Sequence, residues 1–409
     1  MTIEFNSPGV IPGGWSWTPA PTGANDAFGR QRVSQVTTLL DVKHPNSKNP
    51  ALVDEELNGT ATSVHSTTNA SVNMTTAADA DYVIRQTFQR APYFAGKGQQ
   101  AFLTFCNFVN ETNVTKRIGL FQSATTGTFS TNIDGIFIES DGSDYYCCIY
   151  KGGTQTARIA RADWTDPMDG SGPSGITIDF TKSLILQIDY EWLGVGSVRF
   201  CVVIDGVMYE IARYNHSNAG VSTYMTHSNQ PIRYEIRQAG EGSGSLEMVC
   251  STIGTEGVNQ IGEDGTVNQG VIHTDADSTT NTYALCGIRL DTAKPNIHLH
   301  ISGISILSTT NDNFLWSIIR NPSVAGTFTF ASNNGVQTAV AAGNTNIVTG
   351  GTVLASGYGA ANSEITFAHD TALHLGISID GTPDEFILCV RATGVNSDLI
   401  GAVNWFEEI

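Results

Sequence analysis

The sequence predicts an all-β protein made of antiparallel sandwiches, and three observations predict it. Apolar residues alternate with polar ones at a period of two through many short runs. Turn residues punctuate those runs about every 8–12 positions. No stretch carries helical spacing over three turns. The clearest block is LILQIDYEWLGVGSVRFCVVIDGVMYEI, residues 184–211. Leu184, Leu186, Ile188, Tyr190 and Trp192 share one strand face, with Gln187, Asp189 and Glu191 on the other. Val198, Phe200, Val202 and Ile204 repeat the pattern. Asp205-Gly206 supplies the positive φ angles of a tight hairpin, and Val207, Tyr209 and Ile211 carry the returning strand.

Residues 1–30 are rich in Pro, Gly and aromatics. Pro8, Pro12, Pro19 and Pro21 forbid a regular helix or a central strand. An extended attachment arm over 1–35 is expected, with Trp15, Trp17 and Phe28 as its apolar anchors, because bare indoles are costly in water. Val33 to Val42 reads as a short strand. Asn58 to Ala80 reads as a strand with Val64, Val72 and Met74 inward, or as a surface loop. From Tyr82 the alternation strengthens through 82–90, 101–108, 116–122, 133–139, 145–150 and 155–161. After the turn-rich loop ADWTDPMDGSGPSG, residues 176–180, 232–237 and 245–250 complete a sandwich domain over 36–255. Residues 256–282 are polar and read as a linker or long loop. Beyond them 283–290, 297–307, 314–320, 326–330, 353–355, 373–379 and 386–392 predict a second β-sandwich domain over 283–409.

Composition narrows the function classes. The 409 residues include 42 Gly, and 15% are charged, which suits short strands joined by turns. The formal net charge of −18 repels phosphate backbones and anionic membranes, so neither nucleic acid nor membrane is an expected partner. The first residues hold no basic stretch followed by an apolar run, so synthesis and folding in a cytosol are expected. Seven Cys with no CxxC spacing argue against a disulfide framework or zinc ribbon, and most sit in apolar runs as small core residues.

Several groups merit weighing as sites. His298 and His300 lie two apart in NIHLHIS and share a strand face, with no third metal ligand evident. Asp163, Asp166 and Asp169 crowd one loop and form a weak Ca²⁺ candidate without EF-hand spacing. Asp134, Glu139, Asp141 and Asp144 make a second acidic cluster, read as solvated. Asp189 and Glu191 share a face as glycosidase carboxylates do, but exposed strands carry such pairs commonly. No GxSxG, HExxH or phosphate-loop motif occurs, so no catalytic residue and no cofactor are predicted. Tyr146, Tyr150, Trp164 and Tyr224 are candidate stacking surfaces for sugar rings.

Five stretches resemble virion structural proteins of tailed double-stranded DNA phages, many of them marine. They are NDAFGRQRVS (25–34), VIRQTFQRAPYFAGKGQ (83–99), MDGSGPSGITIDFTKSLILQIDYEWLGVGSVRF (168–200), YMTHSNQPIRYEI (224–236) and FLWSIIRNPSVAG (314–326). The central domain, with its IDG hairpins and EWLGVG turn, is similar in outline to concanavalin-like jelly rolls. The resemblance implies a non-enzymatic virion protein on the particle exterior: a capsid decoration, head fibre or tail-fibre component. It implies assembly in a host cytoplasm, other virion proteins as partners, and a homo-oligomer, with a trimer favoured. A glycan-binding adhesin is the alternative, with a host surface glycan as partner, and a polysaccharide depolymerase comes third.

Overall fold

The computed structural model describes residues 10–11, 15–16, 25–123, 133–257, 262–294, 296–333, 335–394 and 396–408. The chain divides into two compact units. One comprises Met1–Arg85 and Tyr93–Val258, the other Gln86–Pro92 and Asn259–Ile409. Both are built from antiparallel β-sheets, and the single helical element among the described residues is the 3-10 turn Arg161–Asp163.

The first unit is a jelly-roll-like sandwich. Its seven-stranded sheet runs, edge to edge, Thr154–Ala160, Tyr145–Lys151, Ile133–Ser140, Val114–Ser123, Ile232–Gln238, Tyr82–Thr87 and Val53–Asn58. Its eight-stranded partner comprises Val207–Asn215, Ser197–Ile204, Leu184–Tyr190, Gln99–Cys106, Gly244–Glu256, Ser71–Thr76 and Thr62–Ser66, with Val36–Lys43 also on Gly244–Glu256. Alternation sends Ile118, Leu120, Ile136, Ile138 and Tyr234 of one sheet, and Leu103, Leu186, Ile188 and Phe200 of the other, into the core, all essentially unexposed. The Tyr234 hydroxyl crosses between the sheets, 3.3 Å from the Thr104 carbonyl and 2.9 Å from Ser251 Oγ.

The predicted 184–211 block forms as expected. Asp205 at φ 52° and Gly206 at φ 78° make its hairpin, although the first strand stops at Tyr190, before Trp192. Residues 58–80 form a hairpin in which Val72 and Met74 are buried while Val64 points to solvent. Residues 176–180 and 326–330 hold no strand of their own.

The stretch 25–35, expected within the extended attachment arm, lies on the eight-stranded sheet. Asp26 closes its turn by accepting from the Arg30 backbone at 2.7 Å and from Arg30 Nε at 2.7 Å. Arg32 pairs with Asp189, and Ser197 Oγ donates to the Ala27 carbonyl at 2.9 Å.

The second unit holds a five-stranded sheet of Glu263–Asn268, Ser397–Glu408, His298–Ser308 and Glu364–His374, with Thr274–Ala276 also on Ser397–Glu408. An eight-stranded sheet includes Thr282–Leu290, Glu385–Ala392, Phe314–Arg320 and Thr352–Gly359. The polar stretch 256–282, expected as a linker or long loop, contributes two strands to the first of these sheets. Ser397–Glu408 is not legible as a strand in sequence, because Gly401 interrupts its inward apolar series and Ile400 and Ala402 put apolar residues on the other face too. It nevertheless pairs with three others and buries Leu399, Val403 and Trp405. Five of the seven Cys are buried as expected; Cys250 is exposed and Cys106 half-buried, and all are free thiols.

Candidate functional site

With one face of the seven-stranded sheet in the core, alternation places a charged and aromatic set on the opposite face. Register aligns it in rows. One row runs Ala160, Tyr146, Glu139, Arg117, Glu235; the next runs Arg158, Cys148, Phe137, Gly119, Arg233. Gly119 is required by that second row: a Cβ there would stand 2.5 Å from the Phe137 Cα. Gly135, at φ 141°, makes the same room under Phe121, and the Phe121 and Phe137 rings pack at 4.7 Å.

Glu139 is the centre of the set. It accepts from Arg117 Nε at 2.6 Å through one oxygen and from Arg158 Nη2 at 2.8 Å through the other. Arg117 also reaches Glu235 at 3.2 Å, and Arg233 Nε donates to Glu235 at 2.7 Å. Arg158 bonds Asp141 at 2.8 Å and lies 3.2 Å above the centre of the Tyr146 ring. Burial pushes the Asp141 carboxyl up, but Ser143, the Asp144 amide and Arg158 together hold it well below the usual carboxylate range. Burial pushes the Cys148 thiol up, so it stays protonated and inert. The inner end of the lattice is dry, with Glu139 and Glu235 buried. Tyr146, Tyr150 and Arg158 at its outer end are half-buried and reachable. Tyr150 packs on Phe137 at 5.5 Å and its hydroxyl donates to Gln155 at 3.3 Å.

Glu139 and Glu235 are each engaged by two guanidinium groups, leaving neither poised as a general acid or base. The reachable end combines aromatic rings with fixed planar donors and acceptors, which is what a neutral polyhydroxyl ligand needs.

The other sequence-predicted groups fall elsewhere. Trp164 is 7% exposed and donates to the Ile159 carbonyl at 3.1 Å, and Tyr224 is fully buried with its hydroxyl on the Glu191 carbonyl. Both are core rings and not surface contacts, because their apolar area was enough to draw them inside. Of the expected arm anchors, Trp15 opens the second strand of a small hairpin with Val10–Ile11, and Trp17 lies outside the described residues. Phe28 is half-buried, with the Arg30 guanidinium 4.5 Å above it. Asp166 is buried and accepts from the Met168 and Ser174 amides, while Asp169 caps Ser171. The loop carboxylates Asp163, Asp166 and Asp169 therefore do not gather as a Ca²⁺ cluster. Among the described residues, the only three metal-capable side chains whose ligand atoms come within 4.8 Å of one another are His273, Asp275 and Asp398. Asp189 is paired with Arg199 and Arg32, not matched with Glu191, which accepts from the Ser197 amide at 3.0 Å.

Asp134, read with the solvated acidic residues, is instead a buried hub. Its carboxylate accepts from the amides of Gly152, Thr226 and His227 at 3.1, 2.7 and 3.0 Å, and from Gln230 Nε2 at 2.9 Å. It thereby fixes the YMTHSNQ loop, about ninety residues away in sequence. Burial pushes this carboxyl up, but His227 and the backbone donors outweigh it and hold it below its ordinary value. A depressed carboxylate stabilises the fold above its unfolded value of about 4 and loses that contribution as pH falls toward the folded one. Asp134→Asn is expected to lower stability at neutral pH by about 1–3 kcal/mol. It should also flatten the loss of thermal midpoint below about pH 4. Melting curves across pH check both; an unchanged acid limb contradicts the assignment.

No family model and no curated protein matches the chain. Solved structures do. The Bacillus licheniformis β-glucanase is 13% identical over 54% of this chain and 99% of its own, with a TM-score of 0.34. The exoplasmic/lumenal domain of VIP36, in a Ca²⁺/Man3GlcNAc-bound form, is 12% identical over 56% of this chain and 92% of its own, with a TM-score of 0.38. A legume lectin-like domain from Entamoeba histolytica is 12% identical over 54% and 98%, with a TM-score of 0.34.

Proposed function

We propose that the chain is a non-enzymatic glycan-binding protein carried on the exterior of a tailed-phage virion, and that it binds through the outer end of the Glu139 lattice. The observation that carries the binding reading is the half-buried group Tyr146, Tyr150 and Arg158, set on a rigid, charge-paired sheet face. Ligand-facing groups held in place by a buried second layer lose little freedom on binding. The virion placement and the homo-oligomer rest on the sequence resemblance alone, and a polysaccharide depolymerase is the third reading.

A glycan array with the full chain tests the binding reading. Saturable binding to a defined saccharide is expected, weakened about tenfold or more by Tyr146→Ala, the loss that follows removal of an anchoring aromatic. Binding that survives both Tyr146→Ala and Tyr150→Ala would move the site elsewhere. Release of reducing ends from the bound saccharide would make the protein an enzyme. Immunogold microscopy on intact particles tests the placement: label over head or tail supports it, and particles free of the protein by mass spectrometry refute it. Attachment by the leading residues is best tested by removing 1–24 alone. A deletion through 35 also takes Arg32 from Asp189 and would confound attachment with folding.

A further inference from the structure

The sequence offers His298 and His300 on one strand face and no third ligand. The fold supplies one. His374 is the direct cross-strand partner of His300 on the neighbouring edge strand Glu364–His374. Its ring lies 4.6 Å from that of His298, tilted by 34°, and 5.7 Å from that of His300, tilted by 63°. His298 is 9% exposed and the other two are half-buried. Phe406 covers His300 with ring centres 5.4 Å apart. The Nδ1 atom of His374 is buried without a hydrogen-bond partner.

We propose that His298, His300 and His374 form a binding site for a transition-metal dication of the Zn²⁺ class. Three imidazoles on one tetrahedral ion, with metal–nitrogen bonds of about 2 Å, place their ring centres about 5 Å apart. The two separations observed here bracket that value. The ligand nitrogens of the three rings do not all lie within 4.8 Å of one another as they stand, so binding requires rotation of the side chains but no change of strand register. Imidazole nitrogens select Zn²⁺, Co²⁺ or Ni²⁺ over Ca²⁺ and Mg²⁺, which take oxygen ligands. A metal needs the neutral ring. The bound ion would pin the edge strand to its neighbour beside a register irregularity between Ile301 and Gly303.

The test uses the full chain after chelation and dialysis, titrated with Zn²⁺ by calorimetry and with Co²⁺ by visible absorption. The expected result is one Zn²⁺ per chain, a raised thermal midpoint and a Co²⁺ spectrum of nitrogen-rich coordination. His374→Gln should weaken Zn²⁺ binding by at least about tenfold and abolish the midpoint shift, with the metal-free circular dichroism spectrum unchanged. His300→Gln serves the same purpose should His374→Gln fail to fold. Absence of saturable binding overturns the proposal. So does binding that survives both substitutions but is lost in Asp398→Asn, which would put the ion on His273, Asp275 and Asp398.

Discussion

Replacing Asp189 with Ala is expected to cost about 3–5 kcal/mol of folding stability. Its side chain is 1% exposed and receives Arg199 from its own hairpin and Arg32 from the stretch 25–34, whose side chains are 5% and 13% exposed. Removing the carboxylate leaves two guanidiniums in a dry site facing each other. Arg32 would keep Glu256 at 3.6 Å and Arg199 the Asn25 carbonyl at 2.7 Å, so most of the cost is the loss of the nearest buried counter-charge. Arg32 also bonds Gln100 at 2.6 Å, so the NDAFGRQRVS segment should loosen with it. Urea unfolding measures the loss, and hydrogen exchange over residues 25–35 measures the release. Glu210→Ala provides the comparison, because its partner Arg213 is 41% exposed and the pair should contribute under about 1 kcal/mol. Equal losses for the two variants would contradict the account.

Glu139→Ala should produce a loss of similar size, about 3–5 kcal/mol, from the opposite sheet. Here too one carboxylate, 5% exposed, holds two arginines, Arg117 at 10% and Arg158 at 26%. The effects separate in function. Arg158 is held over Tyr146 by Glu139 and Asp141, so Glu139→Ala should weaken saccharide binding along with stability. Asp189→Ala, which touches only the other sheet, should leave binding intact at temperatures where the variant is folded. Calorimetric titration of both variants distinguishes them. Equal binding losses would mean that both act through global unfolding.

Much of the fold is legible in sequence because its signal is local. The alternation in 184–211, the positive-φ pair Asp205-Gly206 and the strand 314–320 depend only on neighbours along the chain. The site is less legible. Tyr146 and Tyr150 stand out as aromatics at alternate strand positions, but nothing local distinguishes them from Trp164 and Tyr224, which the core absorbs. The GxF pairs at Gly119–Phe121 and Gly135–Phe137 are the local trace of the packed face, since a Gly two residues before a Phe on adjacent strands lets each ring cover the other's gap.

By itself the sequence determined the strand content, the hairpins, the acidity that disfavours phosphate-bearing partners, and the period that sorts each strand into two faces. It left open which strands become neighbours. That pairing was decided only in the tertiary structure. It set Glu139 between Arg117 and Arg158, brought Arg32 to Asp189 and the 226–230 loop to Asp134, and added His374 to the His298–His300 pair. The reason is physical. Alternation records whether a side chain faces water or core, and that requires only the residue's own chemistry. A buried charge or a cluster of imidazoles is defined by partners from distant strands, fixed by register over the whole sheet.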